Sequence, residues 1–134
     1  MFKRIDYLMI KTDDAAEAAQ AWDAALGLKG RGPWTTVGIR SISVPVGGAF
    51  LELAEGEGEG AYGDWLRQQA EGMCLVGIEV DDLSAAVAHL RAQGAKIAEA
   101  TDDDGPGVSF ALVDAASTHG VPIALVQRSP KAKA

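Results

Sequence analysis

The sequence predicts an α+β protein built from two copies of one strand-and-helix unit. One observation is a repeat: a short apolar run, an Asp-Asp pair and an alanine-rich helical stretch occur at residues 7–22 and again at residues 75–90. Another is spacing, because matched positions such as Asp13 and Asp81 are 68 residues apart. A unit of this size buries too little apolar surface to fold alone, so the two copies are expected to share a core.

The first copy begins with a strand and a helix. Residues 5–11 contain a short apolar run that predicts a strand, and the alternation of successive residues between its faces puts Tyr7 on the same face as Met9. A helix is predicted over residues 15–25, and Gly27 is placed to end it.

A hairpin follows in the first copy. Residues 37–46 and 49–54 read as two strands joined by a turn at Gly47-Gly48. Alternation along the second of these strands places Phe50 and Glu52 together on one face.

The second copy repeats the pattern. It predicts a strand at 75–80, a helix at 83–93, a strand at 108–114, a connection at 117–120 and a last strand at 121–127. The order is strand, helix, three strands, twice, and Glu52 and Ala124 occupy equivalent positions.

Four segments break the repeat. The Glu-Gly run 55–60 is predicted to be a flexible linker too polar to pack, and 61–70 a short helix. Residues 102–107 lack the alternating acidic spacing of a calcium loop and are expected to form a solvated turn, and 130–134 a mobile tail. The organisation predicted is one domain, 1–134, with a first module at about 3–55, a linker and short helix at 56–72, a second module at about 73–128 and a tail at 129–134.

Composition limits the function classes. The chain has 134 residues, is 48% hydrophobic and contains no apolar run near the ~20 residues that cross a bilayer. Its net charge of −7 opposes binding to phosphate backbones, so nucleic acid is not an expected partner. Residues 1–5 lead into a strand rather than a signal peptide, which indicates a cytoplasmic protein. Cys74, the one cysteine, is expected to be an inert core thiol.

Several segments together resemble the vicinal oxygen chelate superfamily, which includes glyoxalases, bleomycin-resistance proteins and extradiol dioxygenases. The segments are the repeated strand, Asp-Asp pair and helix, Leu26-Gly27-Leu28, Val80-Asp81-Asp82-Leu83 and the run 90–95. Within the superfamily, residues 38–47 and Ser117-Thr118-His119-Gly120-Val121 are most similar to methylmalonyl-CoA epimerases. The resemblance implies two βαβββ modules whose eight strands form an open, glyoxalase-like cup around a small-molecule site. It also implies a homodimer.

The family's divalent metal is usually held by one residue from the first and one from the last strand of each module. The corresponding residues here are Tyr7, Glu52, Leu75 and Ala124. Leu75 and Ala124 offer no ligand atom, so neither a metal nor another cofactor is expected. Ser41 stands where the epimerases tend to carry a basic carboxylate.

Glu52 is therefore the principal candidate catalytic residue, with Tyr7 or His119 as its partner. Apolar neighbours disfavour the ionised form of a carboxylate, so Glu52 could serve as a general acid or base. The alternative is a vestigial ligand hydrogen-bonded to Tyr7. The expected substrate-binding residues are Trp34, Arg40, Ser41, Phe50, Leu75, Glu79 and Ala124. Glu79 is also expected to pair with Lys11, and His119 could instead serve only to shape its loop.

Two functions remain open. One is a metal-independent isomerase or lyase that moves a proton on a small carbonyl, aromatic or thioester substrate. The other is a bleomycin-resistance-type protein that sequesters an apolar or aromatic molecule without chemistry.

Overall fold

The computed structural model describes residues 1–36, 38–102 and 108–128. Its helices and strands are β1 (Phe2–Lys11), α1 (Ala15–Leu26), β2 (Arg31–Thr36), β3 (Ile39–Val46), β4 (Ala49–Gly56), α2 (Ala61–Arg67), β5 (Gly72–Val80), α3 (Leu83–Ala92), β6 (Ile97–Asp102), β7 (Val108–Val113) and β8 (Ile123–Arg128), with a 3-10 turn at Ala115–Thr118. The predicted α+β class and the repeated strand–helix–three-strand order are confirmed. Within the described residues, no helix is long and apolar enough to cross a membrane.

The chain forms two compact units, which divide β1 and β5 between them. The first unit is Tyr7–Cys74, and the second is Met1–Asp6 together with the described residues from Leu75 onward. Each unit therefore contains most of one predicted module together with a short piece of the first strand of the other module. The single domain and its predicted module boundaries stay predictions.

In the first unit the strands are ordered β2-β3-β4-β1, with β1 parallel to β4 and the other pairs antiparallel. The β3–β4 hairpin turns at Gly47-Gly48, as predicted, and the φ of +60° at Gly47 suits glycine. Helix α1 begins after Asp14, whose side chain accepts a hydrogen bond from the Glu17 N–H, and ends at Gly27 with φ of +71°. Its inner face packs with the cluster Ala15, Ile42, Val44 and Leu53.

The second unit repeats this arrangement, with strands ordered β6-β7-β8-β5. Asp82 caps α3 by accepting from the Ala85 N–H, as Asp14 caps α1. The core under α3 comprises Val80, Leu83, Ala86, Val87, Ala111, Val113 and Leu125. Both predicted helices are thus amphipathic elements buried against the strands of their own unit.

Strand register shows how closely the two copies correspond. Met9 lies opposite Glu52 in the first unit, and Gly77 lies opposite Ala124 in the second. The offset of 68 residues between the first strands and 72 between the last strands holds along both ladders. The equivalence of Glu52 and Ala124 that the sequence predicted is therefore confirmed.

The prediction that the Glu-Gly run does not pack is wrong for its first part. Strand β4 extends to Gly56, and a Glu55 carboxylate oxygen accepts from the Ala15 N–H at 3.2 Å. Glu57 accepts from the Thr35 hydroxyl at 2.9 Å, and its own N–H donates to the Gly38 carbonyl at 2.8 Å. These acidic side chains have hydrogen-bond partners on other elements, which local composition does not reveal. The short helix predicted after them is confirmed as α2.

Two strands had not been assigned bounds from sequence. Strand β2 contains Gly32 and Pro33, which interrupt the alternation that identifies a strand. Strand β6 has an irregular register with β7 between Ile97 and Glu99. Most of the predicted turn at 102–107 and the tail at 130–134 lie outside the described residues.

Candidate functional site

The first unit presents one sheet face that is not covered by α1. Leu51 and Leu53 of β4 pack against the α1 cluster, so the alternate residues of that strand lie on the other face. Cross-strand pairing extends this face across β1, β4, β3 and β2. It carries most of the predicted site residues of this unit: Tyr7, Trp34, Ser41, Phe50 and Glu52. We call it the Glu52 face.

Glu52 lies in the middle of a cross-strand row. Its partners in the ladder are Ser43 on β3 and Met9 on β1. The Ser43 hydroxyl oxygen is 2.8 Å from each carboxylate oxygen of Glu52. Glu52 is half-buried and Met9 is buried, so the carboxylate has one polar neighbour and one apolar neighbour in its own row.

Ser43 was not among the predicted site residues. Alternation along β3 places it on the same face as Ser41, and the two-residue turn at Gly47-Gly48 fixes which residues lie opposite one another. Counting outward from that turn pairs Ser43 with Glu52, so the signal that identifies Ser43 was present in the sequence.

Aromatic residues lie on both sides of the Glu52 row. Tyr7 is buried, with 9% of its surface exposed, and lies opposite Phe50. Trp34 is 43% exposed and lies opposite Ser41. The Glu52 face therefore combines a carboxylate, hydroxyl groups and aromatic rings, the mixture found in small-molecule sites.

Arg40 lies on the other face of the same sheet. It pairs with Glu55 at 3.9 Å and with Glu57 at 3.7 Å, and its strand neighbour Ile42 packs in the α1 cluster. The structure thus places Arg40 away from the Glu52 face, although the sequence grouped the two.

The second unit has apolar residues at the two ligand positions. Leu75 and Ala124 are both buried. Ala124 lies between Gly77 of β5 and Leu112 of β7 in the ladder. The positions of Met9, Glu52 and Ser43 in the first unit thus correspond to Gly77, Ala124 and Leu112, none of which has a polar side chain.

The predicted pair of Glu79 with Lys11 is wrong. Glu79 is 2% exposed and accepts from Arg4 Nε at 2.9 Å, with Lys3 Nζ at 3.7 Å. Lys11 instead donates to the carbonyl oxygens of Arg67 and Gln69 at the end of α2. A strand-equivalence argument could not show these partners, because each comes from a distant segment of the chain.

Glu79 belongs to a buried ionic cluster in the second unit. Asp6 is fully buried and accepts from Arg128 through Nε at 2.8 and 2.9 Å and through a terminal nitrogen at 2.6 Å. Arg4 bridges Asp6 and Glu79, at 3.1 and 2.9 Å. These carboxylates are held by guanidinium groups, so the ion pair predicted for Glu79 exists, but with Arg4 in place of Lys11.

His119 and Cys74 have different surroundings from Glu52. His119 is exposed, has a left-handed φ of +55°, and its N–H donates to the Ala115 carbonyl at the end of the 3-10 turn. This geometry supports a loop-forming role. Cys74 donates to the Met9 carbonyl at 3.6 Å, and burial raises the pKa of its thiol, which fits the predicted unreactive cysteine.

The residues present do not fit the divalent metal of this fold. In the first unit the ligand positions hold Glu52 and a neutral phenol, Tyr7, and in the second they hold Leu75 and Ala124. A divalent ion needs several oxygen, nitrogen or sulfur donors, and two of these four side chains have none. Among the residues that the structure describes, no group of three or more His, Cys, Asp or Glu side chains is arranged to hold an ion.

A comparison with protein-family models agrees with the fold described above. Residues 6–112 match the model of the Glyoxalase/Bleomycin resistance protein/Dioxygenase superfamily. No curated protein matches the sequence significantly.

Solved structures share the fold at low sequence identity. A methylmalonyl-CoA epimerase in complex with methylmalonyl-CoA and NH4+ is 23% identical, with a TM-score of 0.82 and 98% of each chain covered. The epimerase from Mycobacterium tuberculosis is 23% identical, with a TM-score of 0.85, covering 97% of this chain and 91% of the other. A hypothetical protein from Bacillus halodurans C-125 is 18% identical, with a TM-score of 0.83 and 94% of each chain covered.

Proposed function

Because the chain belongs to the glyoxalase/bleomycin resistance protein/dioxygenase superfamily, we propose that it uses that fold for proton transfer without a metal. The proposed activity is that of an isomerase or lyase acting on a small carbonyl, aromatic or thioester compound. The thioester is included because an epimerase of similar fold binds methylmalonyl-CoA. No cofactor is included, and the ligand is mostly apolar.

The position of Glu52 carries this proposal. It is a half-buried carboxylate in the middle of a sheet face, beside the buried Met9 and next to the row of Tyr7 and Phe50. A carboxylate positioned among apolar side chains can exchange a proton with a bound ligand. The loss of donor side chains at Leu75 and Ala124 favours a mechanism that does not pass through a metal.

The proposed step is an isomerisation that conserves atoms and charge. Glu52 takes a proton from a carbon next to a carbonyl group, the electron pair of that C–H bond forms the C=C bond of an enolate, and the π pair of the C=O bond moves onto the oxygen. The hydroxyl of Tyr7 or Ser41, on the same face, donates a hydrogen bond to that oxygen. Delivery of the proton from Glu52 to a different carbon of a conjugated enolate gives the isomer, and its return to the original carbon gives hydrogen exchange alone.

The second candidate function is sequestration of an aromatic molecule. It is favoured by the three aromatic side chains of the Glu52 face, Tyr7, Trp34 and Phe50, whose rings can pack on a planar ligand. In that case Glu52 would contribute to affinity but no turnover would exist.

Solvent deuterium exchange tests the two functions. The α-protons of a panel of carbon acids, comprising methylmalonyl-CoA, a β-keto ester and a phenylacetyl thioester, are followed by NMR in D2O with catalytic protein. For the enzyme, Glu52→Gln should slow exchange of the responsive probe by roughly 10²-fold or more while binding of that probe is retained. The matched control is Glu17→Gln, since Glu17 is exposed on α1, and it should exchange like the wild type.

The other results assign the function differently. Binding of a probe without exchange would favour sequestration. Exchange that is unchanged by Glu52→Gln would remove Glu52 from the mechanism and direct attention to Tyr7 and His119.

The proposal includes a homodimer. The strands β2 and β6 each have one hydrogen-bonded neighbour in their own unit, and unpaired strand edges are commonly covered by a partner. Light scattering should give twice the monomer mass at micromolar concentration. A mass of 13.9 kDa throughout that range would contradict it.

A further inference from the structure

Ser43 and Glu52 form a hydroxyl–carboxylate pair across the β3–β4 hairpin. Both carboxylate oxygens lie 2.8 Å from the Ser43 hydroxyl oxygen. The two residues are direct partners in the ladder, four residues away from the turn on each side. A pair on paired strands of a sheet has a fixed separation, so Ser43 restrains the orientation of the carboxylate.

The second unit supplies an internal comparison. The position equivalent to Glu52 is Ala124, and its ladder partner on β7 is Leu112. The first unit therefore has both the acid and its hydroxyl partner, and the second has neither. A serine that only packs in this row does not need a carboxylate opposite it. A serine that hydrogen-bonds the carboxylate does, and Ser43 lies opposite Glu52.

The geometry also limits how the Glu52 carboxylate can turn. A serine hydroxyl has one hydrogen to donate, and a carboxylate offers two acceptor oxygens. Because the Ser43 hydroxyl oxygen is equally far from both of them, turning the carboxylate about its terminal bond lengthens at least one of the two contacts.

We infer that Ser43 is a positioning residue that holds the carboxylate of Glu52 aimed across the sheet face, in the orientation that the proposed proton transfer needs. This rests on the proposed function.

The test uses Ser43→Ala, Ser43→Thr and both changes combined with Glu52→Gln. With the carbon-acid probe that the wild-type protein exchanges, Ser43→Ala should slow exchange roughly tenfold and leave probe affinity nearly unchanged, the scale of one hydrogen bond to a charged group. Ser43→Thr keeps the hydroxyl and should restore most of the rate. In the Glu52→Gln background, Ser43→Ala should have no further effect, because the two residues act as one unit. Ser84→Ala, at an exposed position of α3, is the control.

An infrared titration gives a readout that does not depend on activity. The carboxylate band of Glu52 is isolated as the difference between wild-type and Glu52→Gln protein. Removing the Ser43 donor takes a hydrogen bond away from the carboxylate, so across the titration the carboxylate stretching band in Ser43→Ala should be shifted in frequency from that of wild type. Circular dichroism establishes that each variant is folded.

The outcomes separate this inference from the proposed function. Exchange that requires Glu52 but is unaffected by Ser43→Ala overturns the role of Ser43 and leaves the enzyme proposal intact. Absence of exchange with every probe overturns the enzyme proposal, and the infrared titration then decides the pair: an unshifted Glu52 band in Ser43→Ala overturns it.

Discussion

At the scale of single residues, the buried acids of this protein have two kinds of partner. Asp6 and Glu79 are almost completely buried and accept hydrogen bonds from the guanidinium groups of Arg128 and Arg4. Glu52 is half-buried and accepts from a neutral serine hydroxyl. A carboxylate bound by arginine in the interior belongs to a structural ion pair, whereas the half-buried Glu52 can reach a bound ligand.

The pair of Asp6 and Arg128 should contribute strongly to stability. Asp6→Asn removes the buried anion that accepts three hydrogen bonds from Arg128. The free energy of unfolding, from urea denaturation, should fall by about 3–5 kcal/mol, the usual cost of removing one partner of a buried ion pair.

Asp64→Asn provides the matched control. Asp64 also pairs with an arginine, Arg67, at 3.0 Å, but both side chains are largely exposed. Its loss should cost less than about 1 kcal/mol. Equal losses in the two variants would show that burial does not set the contribution of these pairs.

The sequence revealed residues whose position follows from alternation and the repeat, and it missed contacts between distant segments. Glu52 and its equivalence to Ala124 follow from strand parity and register. The partners of Glu79 do not, because Arg4 lies 75 residues away in sequence. Nothing in a local pattern indicates which cation reaches a buried acid.

At the scale of elements, predictability depended on regular local signals. The helices α1 and α3 were predicted within one or two residues, because each follows an aspartate cap and has a regular apolar face. Strand β2 was not, since Gly32 and Pro33 interrupt its alternation. The Glu-Gly run was misread because its acidic side chains have their partners on α1 and β2.

Both helices also donate a hydrogen bond to a side chain on the last strand of their unit. Glu55 accepts from the Ala15 N–H at the start of α1, and Gln127 accepts from the Leu83 N–H at the start of α3, at 2.7 Å. These N–H groups have no partner within the helix, so the side chains satisfy otherwise exposed donors. The two positions are 72 residues apart, as Glu52 and Ala124 are.

The amide at Gln127 predicts the effect of changing Glu55. Glu55→Gln keeps an acceptor oxygen and should change the free energy of unfolding by less than about 0.5 kcal/mol, whereas Glu55→Ala should cost about 1 kcal/mol. Urea denaturation of both variants measures the difference. Equal destabilisation by Gln and Ala would show that the charge of Glu55, paired with Arg40, matters more than the hydrogen bond to α1.

At the scale of the whole molecule, two copies of one unit have diverged in chemistry while keeping one architecture. The ladders of the two units match residue for residue, yet the row Met9, Glu52 and Ser43 corresponds to Gly77, Ala124 and Leu112. The repeat was predictable because the helix caps and the spacing of apolar residues recur in both copies. The chemistry was only partly predictable, because it depends on which side chains replaced the ligands expected of the family.

The most direct test of proton transfer by Glu52 without a metal is the deuterium-exchange rate of the responsive carbon-acid probe after exhaustive chelation of tag-free protein. The account predicts that chelated wild-type protein retains its full rate, that added zinc, cobalt, nickel, iron or manganese does not raise it, and that chelated Glu52→Gln protein lacks it. Loss of exchange on chelation with recovery on adding a divalent metal would contradict the account, and would mean that other groups complete a metal site around Glu52.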